Sequence, residues 1–342
     1  MHFGKVNTPA LNLALQGGGA HGAFTWGVLD ALLEDGSLNF DGVSGTSAGA
    51  LNAAVLACGL AEGGRDGARR ALSAFWHDLA SCGNAFSPGP RGALGGFNLD
   101  TNPWFNWLNA WSQQWSPYQF NPGNSNALRE LLERHVREPV LQSSPLRLFV
   151  TATSVRTGQP KVFSGEQLSI DALLASACLP QLFQAMSIAG EAYWDGGFVG
   201  NPALWPLIYE TDALDIVLVQ IDPLVREGTP TTVADIADRL NEITFNASLS
   251  AEMRAIVFVK KLIQQNRIES GQYKDLRLHR IADDLALAPL DASSKYNTDL
   301  NLIEGLFGIG RAAAQRWLVQ HRAAVGVAST FDFEAVFLAP RA

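Results

Sequence analysis

LNLALQGGGAHGAFTWGVLDALLEDG, at residues 11–36, predicts a strand, a glycine-rich loop and a helix in direct succession. Residues 11–15 are a short apolar run that predicts a buried strand, and three consecutive glycines follow after one glutamine. From Phe24 onward, apolar side chains recur at helical spacing until Gly36, a residue type that often follows the end of a helix. The stretch therefore predicts one β–loop–α unit.

The same rhythm returns directly downstream. A second short strand runs into Gly-Thr-Ser-Ala-Gly at residues 45–49, and the Ala- and Leu-rich residues 50–60 predict a buried helix after it. Further strands are predicted at residues 146–153, 215–221 and 276–281. Further helices are predicted at residues 126–136, 170–177, 233–265 (with a break left open) and 310–321. Such alternation is typical of an α/β fold around a parallel sheet.

Composition and charge narrow the class of protein. Of 342 residues, 47% are apolar and 17% are charged, so the chain supports a sizeable core. The net charge of −8 argues against broad nucleic-acid binding and against simple electrostatic capture by anionic membranes. Cys58, Cys82 and Cys178 are widely spaced, so neither a disulfide framework nor a zinc site follows. Without a cluster of metal ligands, no metal or cofactor is expected.

No targeting segment is visible in the sequence. The first ten residues lack a basic start followed by an apolar run, and no stretch reaches the roughly 18 apolar residues that a membrane span requires. The expected location is therefore the cytoplasm, with transient contact at a membrane surface as a further expectation. The sequence carries no signal for the oligomeric state.

The first candidate for chemistry is Ser47, which forms a Gly-x-Ser-x-Gly pattern with Gly45 and Gly49. A sharp strand-to-helix turn lifts such a hydroxyl clear of the backbone, and the flanking glycines tolerate the turn. The following helix directs its N-terminal amides at the serine, which favours developing negative charge. The pattern predicts a nucleophile; the alternative is a packing turn with an ordinary serine.

The glycine-rich loop at residues 17–22 (GGGAHG) allows two interpretations. It matches G-x-G-x-x-G, which is typical of dinucleotide binding, but that site needs an acidic residue at the end of the second strand. Here the second strand ends in the Ser47 turn. Consecutive exposed glycine amides suit an oxyanion hole, because glycine lets the backbone approach a tetrahedral intermediate closely. We therefore favour an oxyanion loop over a dinucleotide loop or a plain turn.

A serine nucleophile needs a proton acceptor, and the sequence offers two kinds. His279 and His321 fit the Ser–Asp–His order of α/β-hydrolases, but one lies in a strand pattern and the other ends a helix, so structural roles are favoured. Asp195 follows two aromatic residues and precedes Gly196 and Gly197. Burial there would raise its basicity. The alternative is an ordinary Asp-Gly turn between two strands.

Three blocks together resemble the patatin-like phospholipase family, namely GGGAHGAF at 17–24, GTSAG at 45–49 and DGG at 195–197. The resemblance covers most of residues 11–207. It includes LFVTATSVRTG at 148–158 and ASACLPQLF at 175–183, which look like the connecting strand and helix of the family. The pattern is most similar to that of bacterial members.

The resemblance implies a three-layer α/β/α sandwich with a mostly parallel central sheet. It also implies a lipid acyl hydrolase with a Ser47–Asp195 dyad and no catalytic histidine, acting on a lipid or acyl-ester substrate through an acyl-enzyme. Asp195 would take the proton of Ser47 and later activate water. The oxyanion hole would lie at Gly17, Gly18 and Gly19, with the amides of Gly18 and Gly19 holding the oxyanion.

The chain departs from the family pattern at one position of the loop. The family usually carries Arg or Lys where this chain has His21, and a cation there would steady the oxyanion loop. Histidine is cationic only part of the time near neutrality. We expect His21 and Gly22 to position the loop, with direct base catalysis by His21 as the less favoured role. Activity that falls as His21 deprotonates would support positioning.

Four tryptophans, Trp104, Trp107, Trp111 and Trp115, recur at spacings of 3, 4 and 4. They predict one apolar helix face, with Pro103 as the first helical residue. Core packing is one interpretation; a lid or interfacial helix that contacts lipid is the other.

The domain organisation expected from these patterns is one catalytic domain over residues 1–342. Its core motifs lie in 11–207, with a Trp-rich lid or insertion at about 83–123 and a helical C-terminal extension after about 230. Two alternatives to the dyad hydrolase remain: a Ser–Asp–His esterase or lipase, and a non-catalytic acyl- or lipid-binding protein on the same fold.

Overall fold

The computed structural model describes residues 10–82, 94–99, 114–226, 228–269 and 271–337. Among these residues, every helix is either too short or too polar to traverse a lipid bilayer.

Eight strands form one mixed sheet. Their order is β5-β6-β3-β2-β1-β7-β8, and β4 pairs with β3 outside this path. The strands are β1 (Ala10–Leu15), β2 (Asn39–Thr46), β3 (Arg147–Ser154), β4 (Pro160–Ser164), β5 (Met186–Ile188), β6 (Glu191–Asp195), β7 (Asp215–Val219) and β8 (Arg277–Ile281). All five strands predicted from the sequence are present. The three that were not predicted, β4 to β6, are antiparallel additions at one edge.

The parallel strands set the position of the chemistry. β1 pairs in parallel with β2 and β7, β2 with β3, and β7 with β8. Their carboxyl ends therefore lie at the same edge of the sheet, which is where α/β proteins bind ligands. The glycine-rich loop follows β1 and Ser47 follows β2 at this edge.

Two hydrophobic cores, one on each face, make the fold a three-layer α/β/α sandwich. Along β1, Leu11, Leu13 and Leu15 belong to the larger core, whereas Ala14 belongs to the smaller one on the opposite face. This alternation follows from the two-residue period of a strand. The predicted fold class, with a mostly parallel central sheet, is confirmed.

The helices agree with the predicted ones in type and differ in length. They are α1 (Gly22–Asp35), α2 (Ala48–Cys82), α3 (Pro117–Phe120), α4 (Ala127–His135), α5 (Glu138–Gln142), α6 (Ile170–Ser176), α7 (Trp205–Tyr209), α8 (Val233–Gln264), α9 (Asp284–Leu287), α10 (Leu300–His321) and α11 (Phe333–Phe337). Helix α2 continues well past the predicted end, through a break at Gly63 and Gly64. Helix α8 is unbroken and α10 begins ten residues earlier than predicted.

Helices α1 and α10 approach each other unusually closely. A Cβ atom on Gly27 would lie 2.1 Å from the carbonyl oxygen of Phe307, and one on Gly310 would lie 2.0 Å from that of Phe24. The backbones are therefore in contact at these glycines. Through this contact and through β8 in the sheet, the chain beyond residue 230 packs directly on the core that carries the predicted motifs.

Candidate active site

Ser47 occupies a sharp turn between a strand and a helix. β2 ends at Thr46 and α2 begins at Ala48, and Ser47 has a φ of 52°. A residue other than glycine rarely adopts this left-handed conformation, and such strain concentrates at functional sites. The amide of Leu51 donates to the carbonyl of Ser47 (3.1 Å), so the side chain stands at the positive end of α2.

The glycines on either side of Ser47 allow this strand-to-helix turn to pack against β1. A Cβ on Gly45 would lie 2.6 Å from the carbonyl carbon of Gly49, and one on Gly49 would lie 2.1 Å from the carbonyl oxygen of Leu15. A side chain at either position would push the turn away from the sheet. The two glycines of the pattern are thus explained by close backbone approach.

Ser176, which was not predicted as a site residue, holds the Ser47 turn in place. Its hydroxyl accepts from the amide of Ser47 (2.9 Å) and donates to the carbonyl of Thr151 in β3 (2.6 Å). The bond ties the nucleophile to the neighbouring strand. Its position within the family-like block 175–183 was the available signal.

Asp195 ends β6 and is fixed by backbone contacts on several sides. Its amide donates to the carbonyl of Cys178 (2.8 Å), and its own carbonyl accepts from the Thr153 hydroxyl (2.7 Å). Its Oδ1 accepts from the amide of Gly197 (2.7 Å). A Cβ on Gly196 would lie 2.1 Å from the Thr151 carbonyl oxygen, so the turn after the aspartate packs directly on β3.

The Asp195 carboxylate is fully buried, and burial raises its pKa from 3.8 to about 7. The amide of Gly197, the hydroxyl of Ser47 and the charge of Lys295 each lower this pKa, but they offset only part of the effect of burial. Oδ2 completes no hydrogen bond with the residues that the structure describes. Ser47 therefore lies close enough to influence the carboxylate, and one oxygen is left to accept a proton.

The first glycine of the loop has its amide engaged by a side chain. The Gly17 amide donates to Oδ1 of Asn201 (2.6 Å), so Gly17 would line the predicted oxyanion hole without its amide acting as a donor. Gly17 instead packs against the nucleophile, since a Cβ there would lie 2.8 Å from the Ser47 Cβ. Among the described residues, the Gly18 and Gly19 amides donate to no protein acceptor, and they remain the predicted donors.

His21 is buried and neutral. Its Nε2 lies 2.7 Å from the Ser294 hydroxyl, which itself donates to the Asp291 carbonyl (2.7 Å), so Nε2 carries the proton and donates to Ser294. Burial, with Lys295 and Arg226 nearby, lowers the pKa of His21 to about 3. The expected partial charge near neutrality is therefore wrong, and so weak a base does not suit the direct role.

The end of the loop is tied to the nucleophile helix. The carbonyl of Gly22 accepts from the Asn52 amide group (3.0 Å), and Asn52 accepts from the Trp76 indole (3.0 Å). A Cβ on Gly22 would lie 2.7 Å from the Ala48 Cβ. The start of α1 and the start of α2 are thus held together beside Ser47.

The histidines of the alternative triad are engaged elsewhere. His279 lies in β8 with its Nε2 3.0 Å from Asp215 and its Nδ1 2.9 Å from the Thr330 hydroxyl. Both ring nitrogens are therefore occupied. His321 ends α10 beside the ring of Trp317. These contacts support the structural roles expected for both histidines.

The tryptophan pattern is only partly described. Trp104, Trp107 and Trp111 lie outside the described residues. Trp115 lies in a bend before α3, with 45% of its surface exposed.

The part of the chain that holds all three motifs is similar to a known family. A family model described as "Patatin-like phospholipase" matches residues 13–208, which is more than half of the chain. No curated protein matches the chain.

Two solved structures are similar to the chain over most of its length. VipD from Legionella pneumophila is 17% identical, with 87% of this chain and 67% of that chain covered and a TM-score of 0.35. The type III effector protein ExoU is 20% identical, with 90% of this chain and 53% of that chain covered and a TM-score of 0.30. The chain thus spans about half the length of ExoU.

Proposed function

This chain belongs to the patatin-like phospholipase family, and on that premise we propose that it cleaves carboxylic esters of lipids through Ser47 and Asp195. One observation carries the proposal: a buried carboxylate with a pKa of about 7 lies beside a serine on a strained strand-to-helix turn. A general base is most effective when its pKa lies near the working pH. A structural Asp-Gly turn would need neither the burial nor the open Oδ2.

In the first half of the reaction, the Ser47 hydroxyl attacks the ester carbonyl and its proton passes to Asp195. The tetrahedral oxyanion is held by the Gly18 and Gly19 amides, with the N-terminus of α2 adding positive potential. Collapse of the intermediate breaks the ester bond. The alcohol leaves with the proton from Asp195, and the acyl group stays on Ser47.

In the second half, Asp195 takes a proton from water, which attacks the acyl-enzyme. The second tetrahedral intermediate expels the Ser47 oxygen, which regains the proton from Asp195, and the carboxylic acid departs. Atoms and charges balance over the cycle, and no metal or cofactor takes part. The substrate is a lipid or other acyl ester. Contact of the Trp-rich segment with lipid, and a single catalytic domain over the chain, form part of the same proposal.

The decisive experiment is labelling with a fluorophosphonate probe, followed by hydrolysis of phospholipid and short-chain ester substrates. We expect the probe to label wild type and Ser81→Ala equally, since Ser81 is an exposed serine at the end of α2. Ser47→Ala should lose the label and essentially all hydrolysis, a loss on the order of 10⁶ in kcat. A folded wild-type protein that neither labels nor hydrolyses any ester would point instead to a non-catalytic acyl-binding protein.

A further inference from the structure

The oxyanion loop lacks the cation that the family usually carries within it, because His21 is neutral. A cation nevertheless lies at this loop. It is Lys295, from the 3-10 helix Ser293–Tyr296, and it lies 87 residues beyond the end of the family match at residue 208.

The backbone of this 3-10 helix is in direct contact with the loop. A Cβ on Gly19 would lie 2.4 Å from the Lys295 carbonyl oxygen, and Gly19 has a φ of 57°. One residue earlier, the Ser294 hydroxyl accepts from His21. The loop and the 3-10 helix are thus in contact at two adjacent residues, and a shift in one moves the other.

The Lys295 ammonium is connected through its neighbours to both the oxyanion loop and the turn that follows Asp195. Its Nζ is 2.7 Å from Asp222 Oδ1, which would lie 3.9 Å from a Cβ on Gly18. The same Nζ is 5.5 Å from the centre of the Phe245 ring, whose edge would lie 2.2 Å from a Cβ on Gly197. The ammonium therefore has one neighbour, Asp222, that lies against the oxyanion loop and another, Phe245, that lies against the glycine turn after Asp195.

The lysine side chain is only 12% exposed, so its charge is weakly screened by solvent. Two groups respond to it: the charge of Lys295 lowers the pKa of Asp195 and also that of His21. The charge of Lys295 therefore acts both on Asp195, the proposed base, and on His21 in the oxyanion loop.

We propose that Lys295 is a positioning residue, which supplies from the C-terminal part of the chain the positive charge that the oxyanion loop lacks at His21. The inference rests on the proposed function for its effect on turnover. In its resting state the ammonium pairs with Asp222 and orients the loop that carries the Gly18 and Gly19 amides. As negative charge develops on the oxyanion, the same ammonium stabilises it from behind the loop.

The competing explanation is a purely structural ion pair between Lys295 and Asp222. Such a pair would stabilise the fold, and its loss would lower all activities without changing the ionisation of Asp195. The two explanations therefore differ in what happens to the Asp195 carboxyl. The groups that face this carboxyl are Ser47, Cys178, Lys295 and Tyr296, and Tyr296 is in turn faced by Asp238. Lys295 is the cation among them.

The test compares Lys295→Gln, which keeps hydrogen-bonding capacity but loses the charge, with Lys295→Arg, which keeps the charge. The Asp195 carboxyl is titrated by ¹³C NMR on protein labelled at aspartate, with Asp195→Asn as the assignment control. We expect Lys295→Gln to move the midpoint from about 7 to higher pH and Lys295→Arg to leave it near the wild-type value. This reading needs no turnover, so it stands even if the proposed function fails.

The kinetic arm tests the positioning role. We expect Lys295→Gln to lower kcat by about tenfold with little change in KM, since a charge acting through the loop contributes less than a direct oxyanion donor. Its pH–rate midpoint should rise with the NMR midpoint, and Lys295→Arg should restore both. Lys260→Gln is the control, because it removes the charge of another lysine ion pair (2.8 Å to Asp275) that shares no residue with the Lys295–Asp222 pair.

Stability is the main confounding effect, because Lys295→Gln leaves Asp222 buried without its partner. The double variant Lys295→Gln/Asp222→Asn removes both charges, and it is titrated in the same way if the single variant does not melt cooperatively. An unchanged Asp195 midpoint in a folded variant, or a rate loss that is equal at all pH values, would overturn the proposal. Wild-type inactivity with a shifted NMR midpoint would refute the proposed function instead.

Discussion

Two buried aspartates at opposite ends of the sheet have opposite pKa shifts. Asp195 ends β6 near Ser47, and burial raises its pKa to about 7. Asp215 begins β7, away from the carboxyl ends of the parallel strands, and its pKa is lowered to about 2. Their exposures are 0% and 1%, so burial alone does not explain the difference.

The two pKa values differ because the two carboxylates accept different numbers of hydrogen bonds. For Asp215, burial raises the pKa, but hydrogen bonds from His279, Arg277 and the Gly326 amide together outweigh it. Asp195 accepts one backbone hydrogen bond, from Gly197, and keeps Oδ2 open. A saturated carboxylate holds its charge and ties strands together, whereas an unsaturated one is left able to take up a proton.

The largest effect that tests this comparison is the loss of the base. Asp195→Asn should lower kcat by about 10²–10⁴-fold, the usual contribution of a general base. In wild type, kcat/KM should rise with pH through a midpoint near 7, because only the ionised carboxylate accepts a proton. Steady-state kinetics from pH 5 to 9 measure both.

His279→Ala is the control for this prediction. With both ring nitrogens bonded to Asp215 and Thr330, His279 should contribute stability rather than turnover. A folded His279→Ala variant as inactive as Asp195→Asn would favour the triad and remove the contrast between the two aspartates.

The second effect concerns stability. Asp215→Asn breaks the ion pair with Arg277 (2.8 Å) and weakens the bond to His279 (3.0 Å). Breaking a buried pair costs roughly 3–5 kcal/mol, and the partly exposed Arg277 puts this case near 3 kcal/mol. Urea denaturation measures the loss. At temperatures where the variant is folded, its kcat should equal that of wild type; a large loss of kcat with unchanged stability would reverse the roles of the two carboxylates.

How much of this could be predicted from sequence depends on how local the signal is. Ser47 and Asp195 lie in short glycine-containing turns, so the chemistry leaves a pattern within a few residues. Ser176 and Lys295 are ordinary residue types that act through long-range contacts; Ser176 lies 129 residues from its partner Ser47. No periodicity or spacing marks either one, and only folding brings them to the site.

The start of α10 shows the same limit for the fold. Glycine disfavours helix, so residues 300–309, which contain Gly305 and Gly308, do not read as helical from propensity alone. Gly310 nevertheless allows the backbone of α10 to touch α1 at Phe24, which no side chain would permit. Packing against α1 thus overrides a local propensity that predicted a later start.

The smallest effect is a gain in stability, and its pH dependence separates the two aspartates most sharply. The folded pKa of Asp195, about 7, lies above its unfolded value of 3.8, so the folded state holds a proton that the unfolded state has lost. The contribution of Asp195 to the free energy of unfolding therefore falls as pH rises from about 4 to 7, by at most about 4 kcal/mol at about 1.4 kcal/mol per pH unit. For Asp215 the sign is reversed: its stabilisation is present above pH 3.8 and is lost as pH falls towards 2.

Asp195→Asn removes the buried charge and keeps an acceptor for the Gly197 amide. We expect it to raise the free energy of unfolding by about 2 kcal/mol at pH 8, about half of the upper bound, because local relaxation and water penetration reduce the effective cost of a buried charge. The gain should shrink towards pH 5, where the wild-type carboxyl is already protonated. Urea titrations of both proteins at pH 5, 6.5 and 8 measure this trend. A gain that is independent of pH would mean that ionisation of Asp195 does not destabilise the folded protein. Asp195 would then resemble Asp215, and its pKa would not suit a general base.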